Sequence, residues 1–152
     1  MVNLSTCRAV AIACLLTAVG PGQAQQVNGA QLYQSSCAMC HQSEGQGAPS
    51  LAPPLKGPMM ARLVKARAYV PGVLLAGMHG PLITDDGPFN GVMPTQNRLS
   101  DDEIAAVSSH LAQDFNGLKE QAAVTAAEVA ALRAKLVKVA ELRTLRKQTL
   151  GQ

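Results

Sequence analysis

The 152-residue sequence contains no tryptophan and only two tyrosines and two phenylalanines, so the large side chains that usually fill a core are nearly absent. Apolar residues still make up 47% of the chain, much of it alanine and valine, and small side chains alone fill a core poorly. The folded domain is therefore expected to be smaller than the chain, with something other than side chains at its centre. Cysteine is also scarce, at four residues, two of which (Cys7 and Cys14) fall in the first 24.

Those 24 residues read as a secretory signal. Arg8 supplies the positive start, Ala9 to Val19 form an apolar run of eleven, and Gly22-Gln23-Ala24 places small residues before a cleavage point after Ala24. The run falls far short of the ~20 residues of a spanning helix, which excludes a membrane anchor. A lipid-attachment reading of Ala11-Ile12-Ala13-Cys14 leaves too few apolar residues ahead of the cysteine. After cleavage only Cys37 and Cys40 remain in a chain bound for the periplasm. An oxidising compartment favours disulfide frameworks, but one closely spaced pair is no framework and needs another explanation.

That pair sits in Cys37-Ala38-Met39-Cys40-His41. A thioredoxin-like redox site would place it after a strand in a βαβ unit, whereas residues 28–36 read as a helix and no parallel-strand pattern follows. A zinc site needs two more ligands, and only His79 and His110 remain, with no second paired motif. The spacing C-x-x-C-H instead signals covalent attachment of one haem c. Two thiols add across the two vinyl groups on one porphyrin edge, and the adjacent His41 becomes the proximal iron ligand. A haem would also supply the large apolar centre that the missing aromatics do not.

Further along, Ser100-Asp101-Asp102-Glu103 is a capping box, followed by Ile104, Val107 and Leu111 at helical spacing and Phe115 one turn later. Pro58 to Val64 reads as a short helix. These features resemble the class I cytochrome c family, and more narrowly the small periplasmic cytochromes that serve as electron-transfer domains of bacterial oxidoreductases. The resemblance covers Val27 to Gly117. Gly29, Tyr33 and Cys37 reproduce the family's Gly–aromatic–Cys spacing, in which the glycine lets the first helix cross the C-terminal helix of the domain closely. The resemblance implies an all-α class I cytochrome c fold, with Val73–Gly80 as the middle helix and Asn90–Pro94 as the methionine loop.

It also implies a methionine as sixth ligand. Met93, followed by Pro94, which removes a backbone donor and stiffens the loop, is the expected one. Met39 lies inside the attachment loop, Met59 and Met60 read as packing residues, and Met78 is a weaker candidate. A proline carbonyl ahead of Leu55, from Pro53 or the near-equivalent Pro54, is expected to accept the Nδ1 proton of His41. The chain departs from the family at His110, where an aromatic is usual, and near Asp114-Phe115, where a tryptophan often stands. His110 reads as a packed histidine at the helix crossing.

Charge divides the chain. Residues 25–117 carry five basic and seven acidic side chains, a net −2, whereas residues 118–152 carry seven and three, a net +4. A boundary is placed there, giving a signal at 1–24, a haem domain at 25–117 and a basic tail at 118–152. Within the tail, Thr125 to Glu128 form a second capping box with Val124 and Val129 as a staple. Val129, Leu132, Leu136, Val139, Leu142 and Leu145 then continue at three- and four-residue steps, the pattern of one amphipathic helix of about 22 residues. It could pack on its own domain or a partner subunit, pair with a second copy, or lie on an anionic membrane surface. The lack of aromatic anchors weakens the last.

A haem with His and Met on both sides leaves no open position for substrate. The expected function is therefore single-electron transfer between a dehydrogenase or reductase and the respiratory chain, without catalysis and without a nucleic-acid partner. A haem enzyme or gas sensor with a labile sixth ligand, and an assembly module working through the tail, are the alternatives.

Overall fold

The computed structural model describes residues 27–118 and 123–152. The expected signal and its cleavage point lie outside the described residues. Helix α1 (Gly29–Ser36) starts at Asn28, whose side chain accepts a hydrogen bond from Gln31 N at 3.0 Å. It runs into the short α2 (Ala38–His41), which carries the second thiol and the histidine of the motif. Helices α3 (Pro58–Leu63) and α4 (Tyr69–Ala76) follow, then strands β1 (Met78–Thr84) and β2 (Gly87–Met93). Helix α5 (Asp101–His110) opens on the capping box, with Ser100 N donating to Glu103 and Glu103 N to Ser100 Oγ. It ends in one π-helical turn, Leu111–Phe115.

Helices α1 and α5 cross so closely that a Cβ on Gly29 would lie 2.2 Å from the carbonyl oxygen of Ala106. Only glycine permits that approach. Tyr33, Phe115 and His110 fill the crossing. The Tyr33 and Phe115 rings meet edge-on with centroids 4.9 Å apart, and the His110 ring lies 4.8 Å from that of Phe115. His110 is thus packed at the crossing, with Nδ1 beside Asp114 Oδ2.

The all-α expectation needs correction. Residues 78–93 form an antiparallel hairpin, from Met78 opposite Met93 to Thr84 opposite Gly87. The middle helix begins and ends four residues earlier than expected. Gly77, at φ 74°, stops it, and a Cβ there would lie 2.7 Å from Met93 O. The methionine loop is therefore a strand whose last residue sits beside the start of the hairpin.

The tail is corrected as well. It forms two helices, α6 (Ala126–Ala134) and α7 (Val139–Leu150), not one. Between them Leu136 takes a left-handed φ of 51° and is 77% exposed, so a residue expected on the apolar face is spent at a bend. The bend lets α6 pack on α4 and α5 while α7 packs on α3 and α4. Val129 and Leu142 are fully enclosed as a result. No described helix is long and apolar enough to cross a membrane.

Candidate haem site

The residues singled out in the sequence line one cavity of about 230 Å³: Cys37, Cys40, His41, Pro53, Pro54, Leu55 and Met93 all border it. Three of the four aromatics (Tyr33, Tyr69 and Phe89) border it too, so the few large side chains cluster around this space.

His41 is only 7% exposed. Its Nδ1 lies 2.9 Å from the carbonyl oxygen of Pro53, which can only accept, so the proton sits on Nδ1 and leaves Nε2 with a free lone pair. Burial pulls the imidazole pKa down and so favours the neutral, ligating form, while the hydrogen bond to Pro53 pulls more weakly the other way. The geometry separates the two prolines, because the contact is made by Pro53 and not Pro54. The loop is folded to make it: Gly47 N donates to His41 O at 2.9 Å, and Leu55 N to Gly45 O at 2.8 Å. Asn116, just past the π-helical turn, donates to Leu55 O at 2.9 Å and to Leu111 O at 2.8 Å, tying this loop to α5.

Cys37 and Cys40 both stand at the cavity wall with no disulfide between them, and burial pushes the Cys37 thiol above its usual pKa, with nearby Arg98 opposing. Tyr33 donates to Gln42 O at 2.6 Å, holding the residue after His41, and burial raises its phenol to about 12.

Four methionines border the cavity: Met59, Met60, Met78 and Met93. The sulfur of Met59 is engaged, accepting from Arg146 Nη2 at 3.2 Å. Met93 ends β2, and the following segment is pinned to α4, with Gln96 N donating to Leu74 O at 2.7 Å and Thr95 Oγ1 to Leu75 O at 2.8 Å.

Sequence reasoning missed two contributors. Asn116 had no pattern to mark it. Arg146 is one of the seven basic residues of the tail, and it borders the cavity and is 8% exposed. Arg133 and Arg143, two more of the tail's basic residues, are also docked. Arg133 donates to Asp101 Oδ1 at 2.8 Å and to the carbonyls of Asn97 and Leu99, and Arg143 to those of His79 and Pro81.

Paired thiols, a buried imidazole with Nδ1 already engaged, and thioethers around one apolar space fit a covalently bound haem. The class of protein is accordingly a c-type haem protein. The family model described as Cytochrome c matches residues 26–114, and the chain belongs to that family, whose members carry haem c and transfer electrons. It is 43% identical over 115 residues to a cytochrome c-552 from Thermus thermophilus, an alignment covering 72% of this chain and 87% of that protein. A second cytochrome c-552 from Thermus thermophilus gives the same identity over 77% of its length. The cytochrome c subunit of a quinone alcohol dehydrogenase from Gluconobacter oxydans is 31% identical over 78% of this chain but only 24% of the subunit.

Proposed function

We propose that this chain is an exported mono-haem electron carrier in which Cys37 and Cys40 would hold the haem and His41 and Met93 would ligate its iron. The observation that carries this reading is the Nδ1 contact from His41 to Pro53 within a cavity walled by both thiols. When bound, the haem supplies a reversible one-electron couple. The chain's own residues orient the ligands and keep water out. Pro53 fixes the tautomer of His41, and the anchored segment after Met93 keeps its thioether at the cavity. An apolar pocket and a thioether ligand both favour the reduced form and raise the potential. Leu51 and Val92 border the cavity and are themselves exposed, an apolar mouth suited to brief contact with redox partners.

The partners we assign are a periplasmic dehydrogenase or reductase as donor and a respiratory-chain component as acceptor. In this reading residues 1–24 direct export and are removed after Ala24, residues 25–117 form the haem domain, and residues 118–152 clasp it. The clasp contacts support a tail that serves its own domain, against the assembly-module alternative.

The visible spectrum of the mature protein, matured with haem, tests the ligand set. Ferric protein is expected to be low-spin, with a weak Met-to-iron band at the red end that is lost in Met93→Ala and kept in Met78→Leu. High-spin ferric haem, or reduced protein that binds CO readily, would sink the carrier in favour of an enzyme or gas sensor. Amino-terminal sequencing of periplasmic protein should begin at Gln25.

A further inference from the structure

Arg146 is the most enclosed arginine among the described residues, and its partners are all neutral. Nη1 donates to Tyr69 Oη at 3.1 Å and Nη2 to Met59 Sδ at 3.2 Å and to the carbonyl of Ile83. The guanidinium also lies 6.0 Å from the centre of the Tyr69 ring. Among the described residues Arg67 pairs with Glu128 and Arg133 with Asp101, and Arg146 takes part in no ion pair. Asp85 borders the same cavity, but its Oδ2 accepts from Met59 N at 3.0 Å and forms no pair with Arg146.

That arrangement is unbalanced. A guanidinium keeps its charge at any ordinary pH, so burial cannot be relieved by losing a proton. Burying a charge without a counter-charge is strongly unfavourable, and buried charges are as a rule paired. The two arginines paired with carboxylates are partly exposed, where pairing matters least. The one that needs an anion most has none from the protein. It does border the cavity, and the group that fits that cavity carries two carboxylates on its rim.

We infer that Arg146 seats a haem propionate, so that helix α7 closes onto the cofactor as well as onto the protein. This rests on reading the cavity as a haem site. A planar guanidinium suits a carboxylate better than any other side chain, and the neutral partners of Arg146 fix its plane without competing for the charge. It follows that haem insertion and docking of the tail support each other, and that the Arg146 charge raises the reduction potential by disfavouring ferric iron.

The test uses the mature holoprotein. In wild type, nuclear Overhauser contacts are expected between the haem propionate methylenes and the guanidinium protons of Arg146 in the diamagnetic reduced state. Arg146→Gln is expected to lower the reduction potential and to speed hydrogen exchange in α7. Arg146→Lys should restore most of the potential. Arg143→Gln, which removes a tail anchor away from the cavity wall, should speed exchange and leave the potential where it was. Absence of the propionate contacts overturns the proposal even if the potential falls, since charge alone would do that. Equal potential shifts from Arg143→Gln and Arg146→Gln overturn it too, because loosening of the tail would explain both. If Arg146→Gln does not fold, the wild-type contacts decide alone. Failure of the chain to bind haem is read directly from its spectrum, and overturns the haem reading itself.

Discussion

Two helix contacts close this molecule, and they are made of different materials. Where α1 crosses α5, the backbones nearly touch at Gly29 and three rings interlock. Where α7 meets α3, α4 and β1, Leu142 and Leu150 are buried, but arginines reach across to backbone oxygens around them. The first contact is steric: it tolerates almost no added atom and has little to do with ionic strength. The second is part apolar, part polar, and its polar part responds to salt and pH. The haem domain is closed by shape, and the tail is held on it by a mixture that solution conditions can adjust.

Gly29→Ala should break the first contact outright, because the new methyl has no room against Ala106. A loss of about 3 kcal/mol is expected from such overpacking, read by guanidinium denaturation of the holoprotein. Leu142→Ala should cost somewhat less, about 2 to 3 kcal/mol, since the side chain leaves a cavity against Gly72 that α7 can partly close. Its effect should be local, with faster hydrogen exchange in α7 and an unchanged α1. If Leu142→Ala proves more damaging than Gly29→Ala, the ranking of the two contacts is wrong. Arg133→Met removes hydrogen bonds to Asp101, Asn97 and Leu99 and should cost about 1 to 2 kcal/mol. That loss should shrink in high salt, whereas the Gly29→Ala loss should not.

The smallest effect concerns Glu128. Its hydrogen bonds to Arg67, and then those from Thr125, hold its carboxyl at about 2, below its ordinary value of 4.5. A depressed carboxyl stabilises the folded state above the unfolded value and loses that contribution as pH falls through the folded one. The docking of α6 should therefore be unaffected from neutrality to about pH 5 and weaken between pH 4.5 and 2. Both partners are more than a third exposed, so the change should be about 0.2 to 1 kcal/mol. Denaturation at stepped pH measures it, and Glu128→Gln should flatten the trend; an equal slope in the variant would assign the loss to other carboxyls.

What the sequence made legible was local. Cys37 to His41 announce their chemistry within five residues, and both capping boxes form as read because each needs only a serine or threonine and a glutamate three residues on. The hairpin was hidden because Gly80, Pro81, Gly87, Pro88 and Gly91 suppress any strand pattern. A two-residue turn at Asp85 and Asp86 holds it, rather than strand propensity. The bend at Leu136 was hidden for the opposite reason. Residues 126–150 contain no glycine or proline, and their apolar spacing runs on unbroken. The two faces of the domain that α6 and α7 cover impose the break, and a left-handed leucine is the local cost. Arg146 could not be recognised from its neighbours either, since its hydrogen-bond partners Met59, Tyr69 and Ile83 all lie more than 60 positions away.

The carbonyls of His79, Pro81 and Ile83 project from alternate residues of β1, along the side that does not face β2. Arg143 and Arg146 occupy that row. An open row of this kind is what a neighbouring molecule would use to add a strand of its own. The tail thus covers main-chain oxygens that would otherwise stand open at the hairpin's edge, and it does so through backbone atoms, whatever side chains β1 carries.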